Sequence, residues 1–124
     1  MGSQALTNYT RQISFLKRAI TFADNGTVLK MGTIPAGANI IKPMSGVHVD
    51  VVFNAGTTNV LDIGTAADGD FYATDLALGT IGHVALDEAV TMSVTADTDI
   101  TATVALAGTA ATTGSGVVII AFMT

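Results

Sequence analysis

The chain has 124 residues, 49% of them hydrophobic and 12% charged, with a net charge of −5, two histidines, no cysteine and no tryptophan. That is apolar material for a single folded core, and the lack of cysteine excludes disulfides, thiolate nucleophiles and zinc–thiolate sites. Charge is segregated: five cations face only Asp24 in residues 1–42, a net +4, whereas the nine later acids face no cation, a net −9.

Residues 1–9 read as an N-terminal arm. Met1 to Ala5 lacks the basic start and apolar run of a secretory signal, and no stretch reaches the roughly 20 consecutive apolar residues of a membrane-spanning helix. Residues 10–124 read as one antiparallel β-sandwich domain. In residues 10–22, Ile13 and Phe15 fall on one parity and Leu16, Ile20 and Phe22 on the other; a strand ending at Asp24-Asn25-Gly26 fits, with a short helix as the alternative. Thr27 to Ile34 is the next strand, closed by the turn Pro35-Ala36-Gly37. Asn39 to Lys42 gives a short strand stopped by Pro43, which has no amide hydrogen to donate.

Val47, Val49, Val51 and Phe53 alternate with His48, Asp50 and Val52, predicting a strand with one buried face. Val60 to Ile63 is another strand, Phe71 to Leu78 reads as loop or short helix, and His83 falls in a loop-like stretch. Met92, Val94 and Ala96 form one alternating run and Ile100 to Leu106 a second, with Asp97-Thr98-Asp99 as a hairpin turn between them. The loop from Gly108 to Gly116 reads as mobile. Val117 to Phe122 is apolar on both parities, as expected of a central strand buried on both faces or covered by a neighbouring subunit. Seven or eight short strands without a ten-residue helix predict an all-β, jelly-roll-like sandwich.

The chemical inventory is thin. His48 and His83 read as solvated side chains, and neither has metal-ligand spacing to another histidine or a glutamate. Ser14, Ser45, Ser93 and Ser115 sit in no nucleophile-elbow context. Asp68-Gly69-Asp70 lacks the ligand order of a calcium loop and reads as a turn, and the Gly108 to Gly116 run lacks the lysine of a phosphate loop. The expectation is therefore no enzyme, no metal and no cofactor. A net negative chain without a basic cluster is a poor nucleic-acid ligand. Arg11, Lys17 and Arg18, clustered in the first element, are the candidate docking residues for an acidic partner, set against the plainer reading that both signs of charge lie on solvated surfaces.

One stretch carries a family signal: Gly32-Thr33-Ile34-Pro35-Ala36-Gly37-Ala38-Asn39-Ile40-Ile41, then the run from Val47 through Asn54-Ala55-Gly56-Thr57-Thr58-Asn59 to Asp68-Gly69-Asp70. It resembles the small virion structural proteins of tailed bacteriophages, the head decoration or cement proteins. The resemblance covers about residues 28–80 and is joined by the final Gly-Ser-Gly-Val-Val-Ile-Ile-Ala-Phe strand. It implies a jelly-roll-like sandwich, self-association as a dimer or trimer, and attachment to the phage major capsid protein. It also implies location on the capsid surface of the virion after synthesis in the bacterial cytoplasm. The alternative is a carbohydrate- or receptor-binding module of a head fibre or tail, which the absence of tryptophan stacking platforms disfavours.

Overall fold

The computed structural model describes residues 13–124. The expected arm, and Arg11 with it, lies outside the described residues. The elements are β1 (Ile13–Thr21), β2 (Val28–Ile34), β3 (Asn39–Ile40), β4 (Gly46–Val51), β5 (Thr58–Thr65), β6 (Ala73–Ala77), β7 (Gly82–Ala85), β8 (Thr98–Ala107) and β9 (Ser115–Met123). Among the described residues the only helical turns are two short 3-10 segments, at 22–24 and 42–44.

The strands pair as nested antiparallel hairpins: β1 with β9, β2 with β8, β4 with β7, β5 with β6. β9 then closes onto β4, and β8 onto β5. The result is a front sheet in the order β1-β9-β4-β7, with β3 continuing the β4 side of β9, and a back sheet in the order β2-β8-β5-β6. Nested pairs folded into two facing four-strand sheets are the jelly-roll arrangement. β1 lies beside β2 on one flank of the sandwich, and β6 beside β7 on the other.

Period-two alternation fills the space between the sheets. Val47, Val49, Val118 and Ile120 point inward from the front, and Leu61, Ile63, Ile100 and Val104 from the back, all fully buried. Each such side chain contributes roughly 1.5–3 kcal/mol by leaving water. Thr21 opens the turn after β1 with a capping box, its hydroxyl accepting from the Ala23 amide while Asp24 accepts from the Thr21 amide.

Several expectations are corrected. The helix alternatives fail: 13–21 is strand, and Ala73–Ala77 within the Phe71 to Leu78 stretch is edge strand β6, whose aliphatic residues Ala73 and Leu76 face the core. The register slips between Leu61 and Ile63 opposite Asp75, which sits at φ 56°, and this bulge hides the strand's alternation from the sequence. Strand β3 stops at Ile40, before the 3-10 turn that carries Pro43. Val51 is 46% exposed rather than buried, because a bulge between Val49 and Val51 turns it outward. His83 lies within β7 and not in a loop.

The hairpin expected around Asp97-Thr98-Asp99 does not exist. Residues 91–96 run along the 37–40 segment, with Met92 and Val94 carbonyls accepting from Ile40 and Gly37, and β8 begins at Thr98 to pair with β2 and β5. The loop before β9 is tied down: Asn54 accepts from the Thr112 and Thr113 amides and donates to the Thr112 hydroxyl.

Candidate docking surface

The outer face of the front sheet is where the sequence and the sandwich part company. In register, β1 presents Ile13, Phe15, Lys17 and Ala19 outward beside Met123, Ala121, Ile119 and Val117 of β9. Phe15 is 51% exposed, Ile13 and Met123 are also exposed, and Val117 and Ile119 are half-buried. The outer face of the back sheet differs: Thr103, Ala105 and Asp62 occupy its middle. The front face thus carries an apolar stripe along β1 and β9, whereas the middle of the back face mixes Thr103 and Asp62 with Ala105 and Val60, and Val28 stands exposed at its edge. The two-sided apolarity of Val117 to Phe122 therefore resolves into a buried row and a partly open one, in a strand that is central as expected.

The basic residues are divided by the pleat. Lys17 stands on the outer face opposite Ile119, whereas Arg18 takes the opposite parity, and its guanidinium donates to the Lys30 carbonyl of β2 at 3.1 Å. Arg11 lies outside the described residues. Lys17 and Arg18 thus border the same edge without sharing a face.

Further along the front sheet, His48 and His83 sit directly opposite each other on β4 and β7. His48 Nε2 lies 3.4 Å from the Asp50 carboxylate, both side chains half exposed, and His83 Nε2 is 3.2 Å from the Pro43 carbonyl. These are solvated partners at the margin of the apolar stripe. Among the described residues no three His, Cys, Asp or Glu side chains converge as a metal site.

The acids gather on the other flank. Asp87 accepts from the Thr74 amide at 3.0 Å, and Asp62 accepts from the Asp75 amide at 2.8 Å. The Thr74 hydroxyl donates to the Asp70 carbonyl at 3.4 Å. The Asp68 carboxyl beside Asp70, by a shared hydrogen bond and by its charge, holds the Asp70 carboxyl above the ordinary aspartate range. Asp68-Gly69-Asp70 is a turn, its Asp68 carbonyl accepting from Thr65.

At that end of the sandwich an open cleft of about 640 Å³ lies between residues 65–72 and 91–99. Phe71 and Tyr72 meet edge to face in its wall, and burial pushes the Tyr72 phenol up so that it stays neutral. Asp97 and Asp99, also at its rim, are occupied by the Ala36 amide and the Thr33 hydroxyl. They hold loops together.

Sequence reasoning missed the exposed half of β1 and the apolar outliers Val28 and Ile81. The signal in β1 was visible as apolar residues on both parities.

Fold and surface together define a jelly-roll β-sandwich with one apolar outer sheet. No protein-family model matches the sequence, and no curated protein matches it. Among solved structures, the chain is similar to one in the cyanophage Pam1 capsid asymmetric unit, with a TM-score of 0.60 and 21% identity over 90% of this chain and 83% of that one. The likeness is one of fold.

Proposed function

We propose that this protein is a non-enzymatic virion structural protein that decorates or cements a phage capsid. Its partners are the phage major capsid protein and further copies of itself, and its place is the outer surface of the virion after synthesis in the bacterial cytoplasm. The observation that carries the reading is the front sheet's outer face, where Phe15, Ile13 and Met123 stand exposed beside Lys17 on a regular strand pair. Such a face is costly in water and stabilising once covered, since burial returns roughly 25 cal/mol for each Å² of apolar surface. The fold shared with a chain of a cyanophage capsid asymmetric unit supports the choice of partner.

In this reading the apolar stripe seats on the shell, and the cations Arg11, Lys17 and Arg18 border the contact. Binding to assembled heads would favour them over loosened ones by mass action. The test is cosedimentation of the purified protein with heads that lack it. Saturable binding by the native chain, lost in a folded Phe15→Asp variant, is the expected result; equal binding by that variant would remove the front face from the contact.

A further inference from the structure

The two flanks of the sandwich carry opposite charge, and we infer that the β1/β2 flank of one copy docks on the β6/β7 flank of the next, closing a ring. This rests on the self-association just proposed and specifies its geometry.

The basic flank is built by two edge strands. Among the described residues β1 ends the front sheet and β2 ends the back sheet. Lys17 and Arg18 come from β1 and Lys30 from β2, and the Arg18 guanidinium bound to the Lys30 carbonyl joins the two edges across the mouth of the sandwich. The opposite flank is formed by the other two edges, β6 and β7. Around β6 the Asp87 carboxylate accepts from the Thr74 amide and the Asp62 carboxylate of neighbouring β5 from the Asp75 amide, the exposed Asp70 and Asp75 lie beside them, and the Glu88 amide donates to the Tyr72 carbonyl. At the margin of this flank the Lys42 ammonium donates to the Glu88 carbonyl at 2.7 Å.

Each flank also carries an apolar anchor. Among the described residues, the two most open large apolar side chains are Val28 on β2, at 62%, and Ile81 beside β7, at 66%. They stand on opposite flanks. A basic surface with an exposed valine and an acidic surface with an exposed isoleucine complement each other in sign and supply an apolar centre with a charged rim, the usual anatomy of a protein interface.

Two different surfaces on one chain make a head-to-tail contact. A two-fold dimer brings identical patches together and would oppose like charges, whereas repeated head-to-tail contacts form a ring of three or more copies where the rotation between neighbours closes and an open filament where it does not. Docking along the flanks leaves the front sheet's outer face free for the shell.

Charge reversal tests the pairing in solution, independently of any head. Arg18→Glu with Lys30→Glu reverses the basic flank, Asp70→Lys with Glu88→Lys reverses the acidic flank, and the fourfold variant restores complementarity with the signs exchanged. Folding of each is checked by its thermal melt, and sedimentation at micromolar concentration and low salt reads the assembly. The native chain should sediment as a species larger than a dimer that dissociates as salt rises. Each double variant should weaken association by about tenfold or more, and the fourfold variant should recover it. A native monomer at low salt, a native dimer, association indifferent to reversal of the acidic flank, or a folded fourfold variant that stays dissociated would each overturn the inference. Binding to heads with no ring in solution would sink the ring and spare the virion reading.

Discussion

The Ser45 hydroxyl accepts a hydrogen bond from the Ala121 amide at 2.9 Å while donating to the Ile41 carbonyl at 2.9 Å. Residues 42–44 leave the strand line there as a 3-10 turn, so β9 would otherwise face a gap between β3 and β4. A fully buried side chain thus stands in for a missing backbone partner. Ser45→Ala would strand the Ala121 amide and should cost about 1–3 kcal/mol. Urea unfolding should show a lowered midpoint with an unchanged slope; an unshifted midpoint would mean the bridge is dispensable.

Gly46 sits at φ 142°, and a Cβ there would run into the Val84 carbonyl and Ala85 of β7. Gly46→Ala should therefore combine backbone strain with a clash against the neighbouring strand, costing roughly 2–5 kcal/mol. Gly26, with open space around it, serves as the control position because an alanine there meets only the strain. Equal melting temperatures for the two variants would contradict the close approach of β4 and β7.

Asp70 gives a pH dependence of known sign. Its folded-state carboxyl is raised above the ordinary 3.8 by Asp68, so the folded chain takes up this proton before the unfolded chain does. Repulsion from the neighbouring carboxylate is fully present at neutral pH and is relieved as pH falls through the raised value. Asp70→Asn should melt slightly higher than the native chain at pH 7, with the difference vanishing below 3.8. A variant less stable at neutral pH would reverse the assignment.

Thermal melts with and without a chelator should coincide. The acids of the 68–70 turn are held by backbone amides and by one another, and among the described residues no metal-ligating group of three forms. A melting temperature that drops on chelation would reveal a cation in this turn.

Replacing Arg11, Lys17 and Arg18 together with Gln should leave folding intact and weaken attachment to heads, more at low salt than at high. Surface charges contribute up to about 1 kcal/mol each and are screened within roughly 10 Å at 0.1 M salt. Unchanged attachment at low salt would assign the hold on the shell to Phe15 and its apolar neighbours alone.

The sandwich was legible where period-two alternation ran unbroken or where apolar residues filled both parities. Ile100 to Leu106 and Val117 to Phe122 were read as strands and are strands, because both are inner members of their sheets with partners on two sides. The failures fall at edges and bulges. β6 has a left-handed residue in its middle, β7 spans only Gly82–Ala85, and Val51 follows a register shift, so in each the pattern breaks where the backbone departs from regular pleating. The run 91–96 alternates well yet pairs only with the short 37–40 segment around the Asn39 to Ser93 bridge, since alternation reports one wetted side and not the identity or length of a strand partner. For the candidate surface, sequence spacing put Lys17 and Arg18 in one cluster. The pleat separates them: strand parity sets Lys17 on the face of Phe15, and only the pairing with β9 and the packing of the sandwich make that face the outer one.

The nested pairing also sets when this protein can exist. β9 follows every other strand in the chain yet lies in the middle of the front sheet, with Ile13 opposite Met123. During synthesis β1 and β4 can pair with it only once it has been made, and pairings so distant in sequence slow folding. Val117 and Ile119 of the apolar face arrive with that same strand. A chain cut short before Ser115 would lack both the centre of its front sheet and half of its apolar outer face. The apolar row of the outer face is thereby complete only in a chain whose front sheet is complete.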